Sequence, residues 1–111
     1  MKVYGIKNCD SVKKALKYLH VNEIKYDFID LKKQKLTVED IKKWADAVGI
    51  KKLFNTRSTT YRNLGLKQLD LDDEAKIKWM YREPLLIKRP VIEKEGMVLV
   101  GFNEEEYKRS L

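Results

Sequence analysis

The sequence predicts an α/β fold in which a βαβ unit and a ββα unit are separated by a helical stretch. Three observations carry this. Residues 2–6 are short, apolar and rich in β-formers, and the apolar stripe Val12, Ala15, Leu16 and Leu19 that follows has the i, i+3, i+4, i+7 spacing of one helical face. Ile24, Tyr26 and Phe28 then alternate with Lys25 and Asp27 in the two-residue period of a strand. Towards the other end, residues 91–92 and 97–100 are two β-rich runs joined by Glu93, Lys94, Glu95 and Gly96, a polar turn holding a conformationally permissive glycine.

Lys7, Asn8, Cys9, Asp10 and Ser11 form a cluster suited to turning and capping, with Asp10 the expected cap of a helix that ends near His20. The second strand runs through about Leu31, and a strand, helix and strand at this spacing make a right-handed crossover between parallel strands. Thr37 and Asp40 resemble a capping box, after which Ile41, Trp44, Ala45 and Val48 mark a buried stripe stopping at Gly49. Residues 57–65 read as a short helix with Ser58 as cap and Gly65 as exit. Leu71, Ala75 and Trp79 define a longer helix that Pro84 should end. Residues 103–111 form a last amphipathic segment, opened by Asn103 and three glutamates that suit a helix N-terminus. The order is the thioredoxin-like plan, one domain over residues 1–111 with a helical insertion at about 36–83.

Composition narrows the function. The 111 residues suffice for one domain with a core, and the 43% hydrophobic residues are spread along the chain. Residues 1–12 hold no apolar run of signal-peptide length, and no stretch approaches the ~20 apolar residues of a membrane span, so a cytoplasmic protein is expected, with no membrane partner. The formal charge of +7, from 24 Lys and Arg against 17 Asp and Glu, favours anionic partners. Basic and acidic residues are interleaved, as in Glu39, Asp40, Lys42 and Lys43, which argues for a solvated surface and against a nucleic-acid partner. With one cysteine and one histidine, neither an internal disulfide nor a structural zinc site has its ligands, and no metal is expected.

Cys9 is the residue with chemistry. It stands where the first strand has ended and the first helix is about to begin, where the unpaired amides and positive end of the helix favour an anion. Lys7 adds positive charge nearby, and Asp10 opposes it unless its carboxylate is engaged in capping. The residues alone leave two readings open with equal weight, a reactive thiol and a small buried hydrophobe. The position three after Cys9 is Val12, so a redox cycle here needs an external thiol such as glutathione, an anion. His20 stands about 16 Å further along the helix axis and cannot pair with Cys9. Arg89-Pro90 opens the hairpin, and by itself reads as an edge or turn. Trp44, Trp79, Met80, Tyr18 and Phe54 read as core or core edge.

Three separated segments carry a family resemblance: Tyr4-Gly5-Ile6-Lys7-Asn8-Cys9-Asp10-Ser11-Val12-Lys13-Lys14-Ala15, Asn55-Thr56-Arg57, and Leu86-Ile87-Lys88-Arg89-Pro90-Val91. Together with Val100-Gly101-Phe102 they resemble the arsenate reductase and Spx family of glutaredoxin-related proteins, most closely its YffB-like branch. The resemblance implies a thioredoxin-like fold with inserted helices, a functional cysteine at Cys9, a functional arginine at Arg89 and a cis proline at Pro90 beside the cysteine. It also implies three arginines around an oxyanion in arsenate reductases. Arg89 matches one, Asn55 and Gly101 stand at the other two positions, and Arg57 is near enough in sequence to substitute.

The leading expectation is a glutathione-dependent monothiol reductase with no bound cofactor and glutathione as co-substrate. Cys9 and Arg89 are its catalytic candidates, and Lys7, Asn8, Asp10, Arg57 and Pro90 its substrate-binding candidates. The resemblance implies two alternatives: an arsenate reductase using glutathione or glutaredoxin, and a non-enzymatic regulator of Spx type that contacts RNA polymerase. Here Cys9-Asp10-Ser11-Val12 cannot form the Cys-x-x-Cys switch of the Spx branch.

Overall fold

A computed structural model describes residues Met1–Leu111. In chain order the elements are β1 (Lys2–Gly5), α1 (Asp10–Val21), β2 (Asp27–Asp30), α2 (Val38–Val48), α3 (Ile50–Leu53), α4 (Thr59–Asn63), α5 (Asp73–Arg82), β3 (Val91–Lys94), β4 (Met97–Val100) and α6 (Glu104–Ser110), with short 3-10 turns at Leu66–Gln68 and Pro84–Leu86. The predicted βαβ, helices, ββα order is the observed one. The chain divides into two compact units, one of Met1–Gln34 with Arg89–Leu111 and one of Lys35–Lys88.

The first unit is built on a four-stranded sheet of order β2-β1-β3-β4. β1 pairs with β2 in parallel, as the crossover through α1 requires, and with β3 antiparallel, while β3 and β4 form an antiparallel hairpin. The hairpin turn is tighter than the sequence suggests. Glu93 and Lys94 pair with Val98 and Met97, leaving only Glu95 and Gly96 in the turn, both at positive φ (49° and 84°). That backbone matches the right-handed twist of the two strands.

One sheet face supplies the core. Val3, Ile92 and Leu99 are neighbours across β1, β3 and β4 and pack with Ala15 and Leu19 of α1 and Tyr107 of α6. Burying each large aliphatic chain contributes about 1.5–3 kcal/mol, so this cluster is what holds α1 and α6 to the sheet. α1 also approaches β1 closely at Gly5: a Cβ built there falls 2.8 Å from a Val12 methyl. The absence of a side chain at Gly5 therefore sets how near the start of α1 lies to the end of β1.

β2 is shorter than the alternating pattern suggests. Ile24 is taken up in the turn after α1, its N–H donating to the Leu19 carbonyl at 2.9 Å, and the ladder covers only Asp27 to Asp30 opposite the four residues of β1.

The second unit is helical. Thr37 and Asp40 form the expected reciprocal capping box, and α2 buries Ile41, Trp44 and Ala45 before Gly49 (φ 92°) ends it. α2 lies against α5, which starts at its cap Asp72 and buries Met80, while Leu71 precedes the helix and Trp79 is half-buried beneath the Arg82 guanidinium, 4.8 Å from its ring centre. Ser58 caps α4 as read, and Gly65 follows it in the left-handed region. No helix is long and apolar enough to cross a membrane.

Candidate active site

β1 ends at Gly5, and Lys7 and Asn8 carry the chain, exposed, to Cys9 at the N-terminus of α1. Cys9 itself is the N-cap. Its backbone is extended (φ −143°, ψ 125°), and its carbonyl accepts the N–H of Lys13 at 2.9 Å to close the first turn. The expectation that Asp10 caps the helix is corrected here: Asp10 is the first helical residue, exposed, and no side chain caps α1. The chain has left the extended region only after Cys9, so the cap falls one residue earlier than side-chain preference suggests. The acid at Asp10 instead lies in the first turn, where it complements the positive end of the helix.

Cys9 is half-buried and unbridged. Its position is one where first-turn amides have no acceptor within the helix. It is therefore a place where a negative group is favoured.

Arg89 and Pro90 arrive at the same end of the sheet. The register pairs Tyr4 with Val91, so the residues just before β3 lie where β1 runs out towards Cys9. The Arg89-Pro90 peptide is cis, as the resemblance implies, and Pro90 is buried. Arg89 is half-buried, with its Nε inside the protein. The Pro90 carbonyl accepts the N–H of Gly101 at 2.8 Å, and the Gly101 carbonyl accepts the Tyr107 hydroxyl at 2.8 Å. A continuous chain of hydrogen bonds thus ties the cis peptide to α6. Tyr107 belongs to no motif in the sequence, although it lies on the inward face of an amphipathic segment.

The candidates divide between the two units. Lys7, Asn8, Cys9, Asp10, Arg89 and Pro90 belong to the sheet unit and converge at one end of it. Gly101 joins them, but it is a buried glycine at φ 82° and brings no guanidinium. Arg57 and Asn55 belong to the helical unit. There the Asn55 side chain accepts the Arg57 N–H at 3.1 Å, the Arg57 carbonyl accepts from the Arg62 guanidinium at 3.2 Å, and the Arg57 side chain is exposed. No group of three or more His, Cys, Asp or Glu residues is placed to hold a metal ion.

The geometry has parallels among known proteins. The chain is 42% identical over 106 residues to a protein from Haemophilus influenzae described as uncharacterized, with 95% of this chain and 93% of that one covered. It is 32% identical to the global transcriptional regulator Spx 1 of Bacillus cereus, covering 98% of this chain and 85% of the regulator. Among solved structures, a YffB protein superposes with a TM-score of 0.93 at 38% identity, covering 99% of this chain and 97% of that one. The ArsC family model matches residues 4–110, from the strand that leads to Cys9 through the last helix, and the chain belongs to the ArsC family.

Proposed function

We propose that this protein is a glutathione-dependent monothiol reductase with Cys9 as its nucleophile. The observation that supports the reading is the position of the chain's one thiol at the N-cap of α1, at the sheet end where the cis Arg89-Pro90 peptide and its arginine also lie. Membership of the ArsC family supports a thiol-redox role of this general kind.

The reaction balances as two thiol–disulfide exchanges. The Cys9 thiolate attacks the glutathione sulfur of a mixed disulfide between a substrate and glutathione. The old sulfur–sulfur bond breaks, the substrate leaves as its thiolate and takes a proton from water, and Cys9 is left bonded to glutathione. The thiolate of a second glutathione attacks the glutathionyl sulfur, releasing oxidised glutathione and the Cys9 thiolate. One glutathione sulfur, that of the incoming thiolate, is oxidised overall, and the substrate sulfur is reduced. Because the chain has no second cysteine, the external thiol is obligatory.

In this reading Cys9 is presented at the open first turn of α1, and Arg89 and Lys7 hold the carboxylates of glutathione. Asn8 and the Pro90 backbone orient the bound thiol, and Asp10 borders the substrate. An arsenate reductase using glutathione or glutaredoxin is less well supported, because Asn55 and Gly101 supply no guanidinium to an oxyanion.

The test is incubation of the purified protein with oxidised glutathione followed by intact mass measurement. Wild type should gain one glutathionyl group, reversed by reduced glutathione, and Cys9→Ser should gain none. An unmodified wild-type mass over hours at neutral pH overturns the proposal.

A second reading has one specific observation in its favour, the 32% identity to an Spx regulator across nearly the whole chain. A regulatory, non-enzymatic role, including contact with RNA polymerase, then needs no chemistry at Cys9. Partner binding that persists in Cys9→Ser, with no adduct on the native protein, is its signature.

A further inference from the structure

Away from Cys9, α1 and α6 enclose an open groove of about 490 Å³. Lys14, Lys17, Tyr18 and Val21 line it from α1, and Phe102 and Lys108 from the other side. On α1 these positions fall at i, i+3, i+4 and i+7, so a second helix face, distinct from the buried Val12, Ala15 and Leu19 stripe, carries two lysines with an apolar floor. Val21, the last residue of α1, is 68% exposed and extends the apolar floor to the helix end.

The floor is rigid. Tyr18 and Phe102 each stack edge-to-face on the buried ring of Tyr107, with centroids 5.5 Å and 5.2 Å away. Aromatic surface already held in place by the core loses little freedom when something docks on it. Three lysines rim this surface against one carboxylate, Glu104. The ion pair from Lys108 to Glu105 is long, at 3.9 Å, and exposed on both sides, so it holds Lys108 only weakly.

We propose that this groove is a docking surface for an acidic segment of a partner protein, one that sets an apolar side chain on Tyr18, Val21 and Phe102 between carboxylates facing Lys14, Lys17 and Lys108. Charge complementarity selects this occupant. A second copy meeting through the same face would bring lysine against lysine. A phosphodiester backbone would leave the apolar floor of Tyr18, Val21 and Phe102 uncovered. The inference does not rest on the Cys9 chemistry, and the groove is on the sheet unit's helical side, formed without any residue of the Cys9, Arg89 and Pro90 cluster.

The test is a titration of the 15N-labelled full chain with the peptide acetyl-Glu-Glu-Leu-Phe-Glu-Glu-amide at low ionic strength, with a thymidine oligonucleotide in a parallel arm. Amide shifts should cluster at Lys14, Lys17, Tyr18, Asn22 and Lys108. The exposed double variant Lys14→Glu with Lys17→Glu should bind about five-fold more weakly or worse, the scale of a few solvent-screened charge pairs. Replacing Leu-Phe by Ser-Ser in the peptide should weaken binding similarly, and Cys9→Ser protein should bind as wild type does. Shifts that are absent at millimolar peptide, scattered over the surface, or indifferent to the charge reversal overturn the proposal. So does tighter binding of the oligonucleotide at the same amides.

Discussion

The hydroxyl of Tyr107 donates to the carbonyl of Gly101 at 2.8 Å inside the core, and through the amide of Gly101 it is linked to the carbonyl of Pro90. Removing that hydroxyl leaves the ring and its aromatic contacts in place but takes from a buried carbonyl its donor. Tyr107→Phe should therefore cost about 1–2 kcal/mol at neutral pH, the loss of one buried hydrogen bond. Urea unfolding measures the cost, and faster hydrogen exchange at the Gly101 amide locates it. Unchanged stability would mean that the hydroxyl contributes nothing net.

The same hydroxyl gives a pH dependence of known sign. Burial, helped by the neighbouring Glu106 carboxylate, pushes the Tyr107 phenol well above its ordinary value of 10.0. Above that pH the unfolded chain releases the proton while the folded one keeps it. The stabilisation is thus complete below about pH 10 and declines by up to about 1.4 kcal/mol per pH unit as pH rises towards the native value. Wild type should lose stability relative to Tyr107→Phe between pH 10 and 11. Parallel curves for the two proteins over that range would contradict the assignment.

At Gly5 the approach of β1 to α1 leaves no room for a methyl group. Gly5→Ala should destabilise by about 1–3 kcal/mol through overpacking against Val12. Because the obstruction is a specific side chain, the double variant with Val12→Ala should be less destabilised than the sum of the two single changes. A purely additive cycle would place the strain elsewhere.

How far the sequence discloses this fold depends on the range over which each feature is decided. Of the predicted stripe, Val12, Ala15 and Leu19 are buried and Leu16 at its edge is half-buried, and the caps Thr37, Ser58 and Asn103 all accept the expected backbone donors, because both are settled within one or two turns. α3 holds four residues, too few to display a period, and its bounds depend on Gly49 before it and the Phe54 to Ile87 bridge after it. The cis state of Arg89-Pro90 and the positive φ of Gly101 are tertiary outcomes, and only family resemblance points to the first. At the candidate site, Cys9 and Arg89 are legible as residues. Their convergence is a property of the β1 to β3 register, and the link to Tyr107 has no signature in local sequence.

The capping box of α2 offers a prediction confined to the helical unit. The Thr37 hydroxyl accepts the Asp40 N–H at 3.1 Å, and the Asp40 carboxylate accepts the Thr37 N–H at 3.2 Å. Thr37→Ala should cost about 1 kcal/mol, and Thr37→Ser should retain most of it. Thermal unfolding of the three proteins decides the point, with equal losses for Ala and Ser counting against the cap.

The charge of Arg89 and its structural role can be separated by choice of disulfide. If its guanidinium holds a carboxylate of glutathione, its removal should slow Cys9 most towards an anionic disulfide. A charge-assisted hydrogen bond contributes about 1.5–3 kcal/mol, so Arg89→Ala should lower the rate with oxidised glutathione by about ten-fold or more. The rate with the neutral hydroxyethyl disulfide should change little. Arg89→Lys keeps the charge but not the planar fork, and should recover part of the lost rate. The side chain is half-buried, so melting temperatures are measured alongside the rates. A variant that slows equally towards both disulfides, in step with lost stability, would assign Arg89 to packing around the cis peptide and leave Lys7 as the remaining cation for the anion at this end of the sheet.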